Sequence, residues 1–310
     1  MEFIHEPVLL NECIEALGIK PDGIYVDATT GGAGHSAEIA KRLKNGRLIC
    51  IDRDSDALNA AKVRLSPFAD RVIFIKSNFG NLSRALNEAG ITAINGILFD
   101  LGVSSYQLDA PERGFSYMND GPLDMRMDKS QTLTAYDIVN TWPEEELARI
   151  LFEYGEERFS RRIANSIATK RAAAKIETTA ELAKLIASAM PAASRREKQH
   201  PAKRSFQAIR IAVNSELDEV EKALNEAVPL LITGGRIAVI TFHSLEDRIV
   251  KQTYREKSKG CTCPPDFPVC VCGKKPELKI INRKSILPGD KELGENPRSR
   301  SAKLRTAEKL

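Results

Sequence analysis

The sequence predicts an α/β protein: a mostly parallel sheet covered by helices on both faces and interrupted by a helical insert. Three observations carry that prediction. Four short apolar runs, at 24–26, 47–51, 71–75 and 94–99, alternate with stretches of helical spacing. The runs lack an apolar-polar alternation, which marks strands buried on both faces. After Asp100 the alternation stops, 141–190 reads as helix throughout, and a strand signal returns only at 236–242.

Each element has its own justification. Residues 6–20 form an amphipathic helix leading into the sheet. Ile24-Tyr25-Val26 is β-rich and ends in Asp27; a glycine turn at 31–34 then opens a helix at 35–43. The second run ends in Asp52, and the helix at 55–65 carries Ala57, Leu58, Ala61 and Leu65 near helical spacing. The third run leads to Asn78-Phe79 and a helix at 82–89; the fourth ends in Asp100. Right-handed crossovers place a site at the carboxyl ends of such strands. Residues 103–133, rich in Ser, Gly, Asp, Pro and Met, read as a long ordered loop. Thr141-x-x-Glu144 and Thr178-x-x-Glu181 both read as capping boxes. Leu147, Ile150, Leu151 and Tyr154 make one apolar stripe, and Phe159, Ile163 and Ile167 another. A basic linker covers 191–204, helix resumes at 206–224, and Gly234-Gly235 leads back into the sheet. The expected organisation is a core in two parts, 1–108 and 206–310, around a loop and helical insert at 109–205. The second part ends in a basic, cysteine-containing segment.

The composition excludes several classes. At 42% hydrophobic and 28% charged, the 310-residue chain is not wholly disordered. No window approaches 18 uncharged apolar residues, so no membrane span is expected. The first six residues are acidic and lack an apolar core, so no signal peptide is expected and the cytoplasm is the expected location. Residues 251–310 hold 15 Lys/Arg against 7 Asp/Glu, while the first 250 are net acidic. A basic tail on an acidic body points either to a polyanionic partner or to a solvated tail. Arg195, Arg196, Lys198, Lys203 and Arg204, with Lys274, Lys275, Arg298, Arg300 and Arg305, are the candidate phosphate-gripping groups.

Cys13 and Cys50 are isolated in apolar contexts and read as buried structural thiols. The remaining four, Cys261, Cys263, Cys270 and Cys272, have the spacing C-x-C-x6-C-x-C. In a chain without a secretion signal this reads as a structural Zn²⁺ site, with reduced thiols or disulfides as the alternatives. Lys257, Lys259, Lys274 and Lys275 would offset the charge of a four-thiolate centre.

Gly32-Ala-Gly34-His-Ser-Ala37 fits G-x-G-x-x-G/A between a strand and a helix. Its glycines let the backbone approach a ligand. Asp52, ending the next strand, is placed to accept from a ribose diol. The pair predicts an adenosine-type ligand. Asp27 at the mouth of the first strand favours a ligand with a cationic amino-acid end over a pyrophosphate, which points to S-adenosylmethionine. Phe79 is placed to stack on an adenine or to pack in the core. A nicotinamide-dependent oxidoreductase and a non-catalytic binding protein on the same scaffold are the competing readings. His243, Ser244, Glu246 and Asp247 do not make a hydrolase, because no G-x-S-x-G elbow is present.

Longer strings are more specific. Asp27-Ala-Thr-Thr-Gly-Gly-Ala-Gly-His35, Asp52 and Asp100-Leu-Gly-Val-Ser-Ser105 resemble the class I S-adenosylmethionine-dependent methyltransferase fold, a Rossmann-like, mostly parallel α/β sheet, here with an inserted helical domain. Thr29 stands where the commonest glycine motif has its first glycine. Glu112-Arg-Gly-Phe-Ser116, Asp120-Gly-Pro-Leu-Asp-Met-Arg-Met127, Tyr154-Gly-Glu-Glu-Arg-Phe159 and Thr241-Phe-His-Ser-Leu-Glu-Asp-Arg248 resemble the bacterial 16S rRNA cytosine-N4 methyltransferases, the MraW or RsmH family. The similarity runs from His5 to Arg305. It implies methyl transfer from S-adenosylmethionine to N4 of a cytidine in the decoding centre, with 16S rRNA in the small ribosomal subunit as partner. It implies cofactor contacts at Ala33, Gly34, His35, Asp52, Phe79, Asp100 and Gln107. Asp100 is the candidate catalytic acceptor for the N4 hydrogens, or it serves the cofactor alone: the Asp/Asn-Pro-Pro-aromatic motif of other amino-methyltransferases is replaced here by Asp-Leu-Gly-Val. Arg113, Phe115 and Tyr117 are placed to stack on a flipped base or to pack as a lid.

Overall fold

The structure is a computed structural model and describes residues 7–192, 194, 199–261, 263, 269 and 272–310. The chain forms two compact units, 1–102 with 217–310, and 103–216. The first half of the first unit holds α1 (Leu10–Leu17), β1 (Ile24–Asp27), α2 (Gly34–Arg42), β2 (Arg47–Asp52), α3 (Ser55–Arg64), β3 (Val72–Lys76), α4 (Leu82–Glu88) and β4 (Ile94–Asp100). The second unit holds α5 (Ser105–Asp109), α6 (Ala135–Thr141), α7 (Glu144–Glu153), α8 (Ser160–Ala173), α9 (Thr179–Ala189) and α10 (Lys203–Asn214). The returning chain supplies α11 (Glu216–Leu230), β5 (Leu231–Thr241), α12 (Ser244–Ser258), β6 (Leu278–Ile280), α13 (Asp290–Glu295) and β7 (Lys303–Lys309).

The sheet order is β3-β2-β1-β4-β5-β7-β6. Strands β1 to β5 pair in parallel, and β7 runs antiparallel between β5 and β6. Successive strand residues enter opposite cores, as the two-residue period requires. Tyr25, Leu48, Cys50, Leu98, Ala238 and Ile240 pack with α1, α2 and α3. Val26, Ile49, Ile51, Ile97, Phe99, Ile237 and Val239 pack with α4, α11 and α12. That two-sided burial is why the runs lack apolar-polar alternation. Cys13 and Cys50 are buried structural thiols, as expected.

Several boundaries differ from the sequence reading. The helix at 206–224 is two helices, broken at Ser215, whose φ of 50° lies in the left-handed region. α10 belongs to the insert, because Phe206, Ile209 and Val213 pack into the second unit's own core. The helical region at 141–190 begins earlier, at Ala135, and is divided into α6, α7, α8 and α9. Thr141 is not an N-cap: it ends α6, its hydroxyl donates to the Asp137 carbonyl at 2.6 Å, and Pro143 stands before α7. The Thr178–Glu181 box is formed, and a second box, Thr134–Asp137, caps α6. β5 begins at Leu231, because a register shift between Ile94 and Gly96 accommodates Gly234 at φ 77°. β6 is only three residues long and β7 carries too few apolar residues to be read from the sequence, though Leu304 and Ala307 are fully buried.

The caps give a direct check on the insert. Thr178→Ala removes a hydroxyl that accepts from the Glu181 N–H and should cost about 1 kcal/mol. Thr141→Ala, at a helix end, should cost clearly less. Urea unfolding of both variants decides it; equal losses would contradict the assignment of Thr141 to the end of α6.

Candidate active site

Register places the site. Asp27 lies level with Cys50 and Leu98, so Asp52 and Asp100 each stand two residues beyond it. Two residues preserve the face, and all three aspartates project from the side of the sheet that carries α2. Their strands end here, so the carboxylates meet at the sheet's carboxyl edge.

Asp27 is the deepest, 1% exposed. One of its oxygens accepts from the Ser36 hydroxyl at 2.6 Å and the other from the Thr29 N–H at 3.3 Å. Burial nevertheless pushes its carboxyl up to about 6, with the Asp52 charge adding to the rise. Asp52 holds the glycine turn: it accepts from Gly31 N–H and from Asp54 N–H, each at 2.8 Å. Burial pushes it to about 6 as well. Asp100 is anchored by its own N–H, which donates to the Thr29 hydroxyl at 2.6 Å. Its Oδ1 is buried and has no hydrogen-bond partner among the described residues. Burial, then the charges of Asp27 and Glu246, push Asp100 to about 8.

The turn between β1 and α2 is shaped by two left-handed residues, Gly31 at φ 47° and Ala33 at φ 58°. α2 starts without a side-chain cap. A Cβ on Gly32 would meet nothing within 4 Å, so that side of the turn is open. A Cβ on Gly34 would lie 2.8 Å from Pro7 Cγ, so packing against the chain's own N-terminal segment accounts for this glycine. The His35 ring is buried, with Nε2 3.0 Å from the Val8 carbonyl and Nδ1 3.7 Å from Asp100 Oδ2. A carbonyl only accepts, so Nε2 carries a proton and Nδ1 faces Asp100. Phe79 is half-buried, edge-on to Phe99 at 6.0 Å, with the Arg53 guanidinium 6.0 Å from its ring.

Sequence reasoning passed over Glu246 as a site group. It is fully buried at the start of α12 and accepts from Phe242 N–H at 2.8 Å, fixing the chain where β5 ends. Its Oε1 lies 3.1 Å from His243 Nε2. The signal was present in the spacing: His243 and Glu246 form a capping box in which histidine replaces serine or threonine.

Gln107 belongs to the second unit, where it is buried and closes a capping box with Ser104 on α5. Arg113 and Phe115 are also buried there. The Arg113 guanidinium donates to the Arg126 and Met127 carbonyls, so neither side chain offers a free plane to a base. Tyr117 is half-buried and stacked on His200 at 4.7 Å. Among the candidate basic groups, Arg305 is committed to Asp247 by contacts of 2.6 and 3.1 Å, while Lys274, Lys275, Arg298 and Arg300 are exposed. Arg195, Arg196 and Lys198 lie outside the described residues. Of the cysteine cluster, Cys261, Cys263 and Cys272 converge between α12 and β6; Cys270 lies outside the described residues.

Three acids with raised proton affinity and one orphaned carboxylate oxygen suit a ligand that brings positive charge and hydrogens to donate. S-adenosylmethionine, with its sulfonium and ammonium groups, is such a ligand; a pyrophosphate is not. The antiparallel β7 between β5 and β6 also departs from the all-parallel dinucleotide-binding order. Sheet and site together define a class I S-adenosylmethionine-dependent methyltransferase fold. The chain belongs to the MraW methylase family, whose model matches residues 2–310. A Brevibacillus brevis relative is 57% identical over 311 residues, covering 100% of this chain and 99% of its own. Relatives from Finegoldia magna, at 56% over 100% of both chains, and from a Paenibacillus species, at 59% over 99% of this chain and 100% of its own, match as fully. All three are named ribosomal RNA small subunit methyltransferase H.

The carboxylates set a pH dependence for the ligand-free chain. Each holds its proton more tightly folded than unfolded, where a carboxyl titrates near 4. The folded chain therefore binds more protons between about pH 4 and the Asp100 value of about 8, and stability falls as pH rises through that window. Asp100→Asn should flatten the fall and stabilise the chain at pH 8 by on the order of 1–3 kcal/mol. Denaturant midpoints at pH 6 and 8 measure it; a variant destabilised equally at both would contradict the assignment.

Proposed function

We propose that the chain transfers a methyl group from S-adenosylmethionine to N4 of a cytidine in the decoding centre of 16S rRNA, acting on the small ribosomal subunit in the bacterial cytoplasm. The observation that carries this reading is identity of 55–59% along essentially the full chain to relatives named for small-subunit rRNA methylation. Among the described residues no helix is long and apolar enough to cross a membrane, in keeping with a ribosomal substrate.

When bound, the cofactor supplies a methyl group on a cationic sulfur. The turn at 31–34 and the first turn of α2, Ala33, Gly34 and His35, line its approach. Asp52 offers its remaining lone pairs to a ribose diol, and Phe79 presents a ring to the adenine. Asp100 presents a buried oxygen with no hydrogen-bond partner among the described residues, and the family resemblance adds Gln107 to the candidate cofactor contacts.

Cytosine N4 is a weak nucleophile because its lone pair is delocalised into the ring. An acceptor on its hydrogens localises that pair and fixes the nitrogen's direction, so orientation supplies much of the rate. Asp100 Oδ1 is the acceptor in this reading, with the Leu101 and Gly102 carbonyls following it in the chain. A neighbouring cation lowers the Asp100 proton affinity and keeps the carboxylate ionised for that role. The methylated nitrogen is acidic enough to lose its proton without a strong base. Surface Lys and Arg hold the RNA phosphates, which makes binding fall steeply with salt.

Incubation of the chain with labelled S-adenosylmethionine and small subunits, followed by nucleoside analysis, tests the proposal. N4-methylcytidine is the expected product, with short naked oligonucleotides as poor substrates. Methyl on cytosine C5, or equal rates on a free hairpin, would overturn it. Asp52→Ala should lower cofactor affinity at least tenfold, about the loss of one charge-assisted hydrogen bond. Calorimetry showing unchanged affinity would remove Asp52 from the site.

A further inference from the structure

Between α12 and β6 the chain makes a long excursion with a closed base. Glu277 N–H donates to the Lys257 carbonyl at 2.8 Å. The Lys257 ammonium meets the Glu277 carboxylate at 3.1 Å across a separation of twenty positions. Its described residues bury almost nothing: Cys261, Val269, Cys272 and Gly273 through Pro276 are exposed, Val269 by 69%. The described residues of this loop contribute no buried apolar side chain.

Three sulfurs nevertheless converge in it. The Sγ atoms of Cys261, Cys263 and Cys272 all lie within 4.8 Å of one another. Cys261 and Cys272 are 3.7 Å apart, far beyond the bond of about 2.05 Å in a disulfide. A tetrahedron with metal–sulfur bonds of about 2.3 Å has a sulfur–sulfur edge of about 3.8 Å. The Cys263 N–H points to Cys261 Sγ at 3.4 Å, the kind of donor that stabilises a thiolate. Soft thiolates in a tetrahedral arrangement select zinc over the hard divalent cations.

We propose that Cys261, Cys263 and Cys272 are ligands of a structural Zn²⁺ ion that ties together the two chain segments carrying them. Each thiol releases its proton to solvent on binding, and no electron is transferred. Lys259, Lys274 and Lys275, close to the ligands in sequence, offset the net negative charge of the centre. The ion takes no part in methyl transfer, which needs no metal. Its role is to hold the exposed cysteines and the lysines beside them in one arrangement.

The test uses the full chain, purified reduced and without chelators. Elemental analysis should find close to one zinc per chain, released when the thiols are alkylated. Cys261→Ser with Cys272→Ser should lower zinc content at least tenfold, while Cys13→Ala leaves it unchanged. Cobalt added to demetallated wild-type chain should give the intense sulfur-to-cobalt absorption and visible bands of a tetrahedral thiolate site, a readout independent of the variants' folding and of methyl transfer. Reduced protein that takes up neither zinc nor cobalt would overturn the proposal. So would zinc retained in the double variant, iron in place of zinc, or a disulfide within the cluster in active protein.

Discussion

The placing of three acids, Asp27, Asp52 and Asp100, on one face of one sheet edge is the constraint around which the rest of the first unit is arranged. Asp27 is buried and Asp52 and Asp100 are partly exposed, and loss of solvent, more than their mutual charge, raises their proton affinity. Asp27 is held by Ser36 and Thr29, and Asp52 by Gly31 and Asp54. Asp100 keeps an oxygen with no hydrogen-bond partner among the described residues. Such an arrangement is costly in the ligand-free chain and favourable once a cation enters, so the affinity of the site is stored in the fold.

The same acids shape the turn between β1 and α2. Asp52 draws in the Gly31 N–H, and Thr29 receives the Asp100 N–H, so β1, β2 and β4 are tied together by the groups that close them. Ala33 occupies the left-handed region although it is not glycine, at a cost of about 1–2 kcal/mol. That conformation starts α2 without a side-chain cap, and Gly32 beside it leaves open space. Gly34 has a different reason: it admits Pro7, so part of the glycine motif serves packing rather than ligand approach.

Much of this was legible in the sequence because it is local. The four apolar runs, their closing acids and the glycine turn follow from periodicity and turn chemistry. What was not legible depends on partners distant in the chain. β7 has only Leu304 and Ala307 as its apolar signal and exists because β5 and β6 pair with it. Thr141 has the spacing of a cap, but Pro143 two residues later starts the next helix instead. Arg113 and Phe115 read equally as planes for a flipped base or as lid packing, and their burial, which depends on residues distant in the chain, matches packing. Arg305 looked available for phosphate until Asp247 was found beside it. Asp27 is satisfied by Ser36 and Thr29, which leaves the open acceptor to Asp100, a distinction that spacing alone does not make.

Proton linkage on cofactor binding tests the central claim most directly. Calorimetry of S-adenosylmethionine binding at pH 6.5, in buffers of different ionisation enthalpy, counts the protons exchanged. Below pH 7 the charge on the cofactor's amino group is nearly constant, so the protein supplies any difference. Asp27 and Asp52 near 6 and Asp100 near 8 are partly protonated at that pH, and an arriving cation must expel those protons. The account predicts net release of about one proton, with affinity rising toward pH 8. Heats independent of the buffer, or proton uptake, would contradict it.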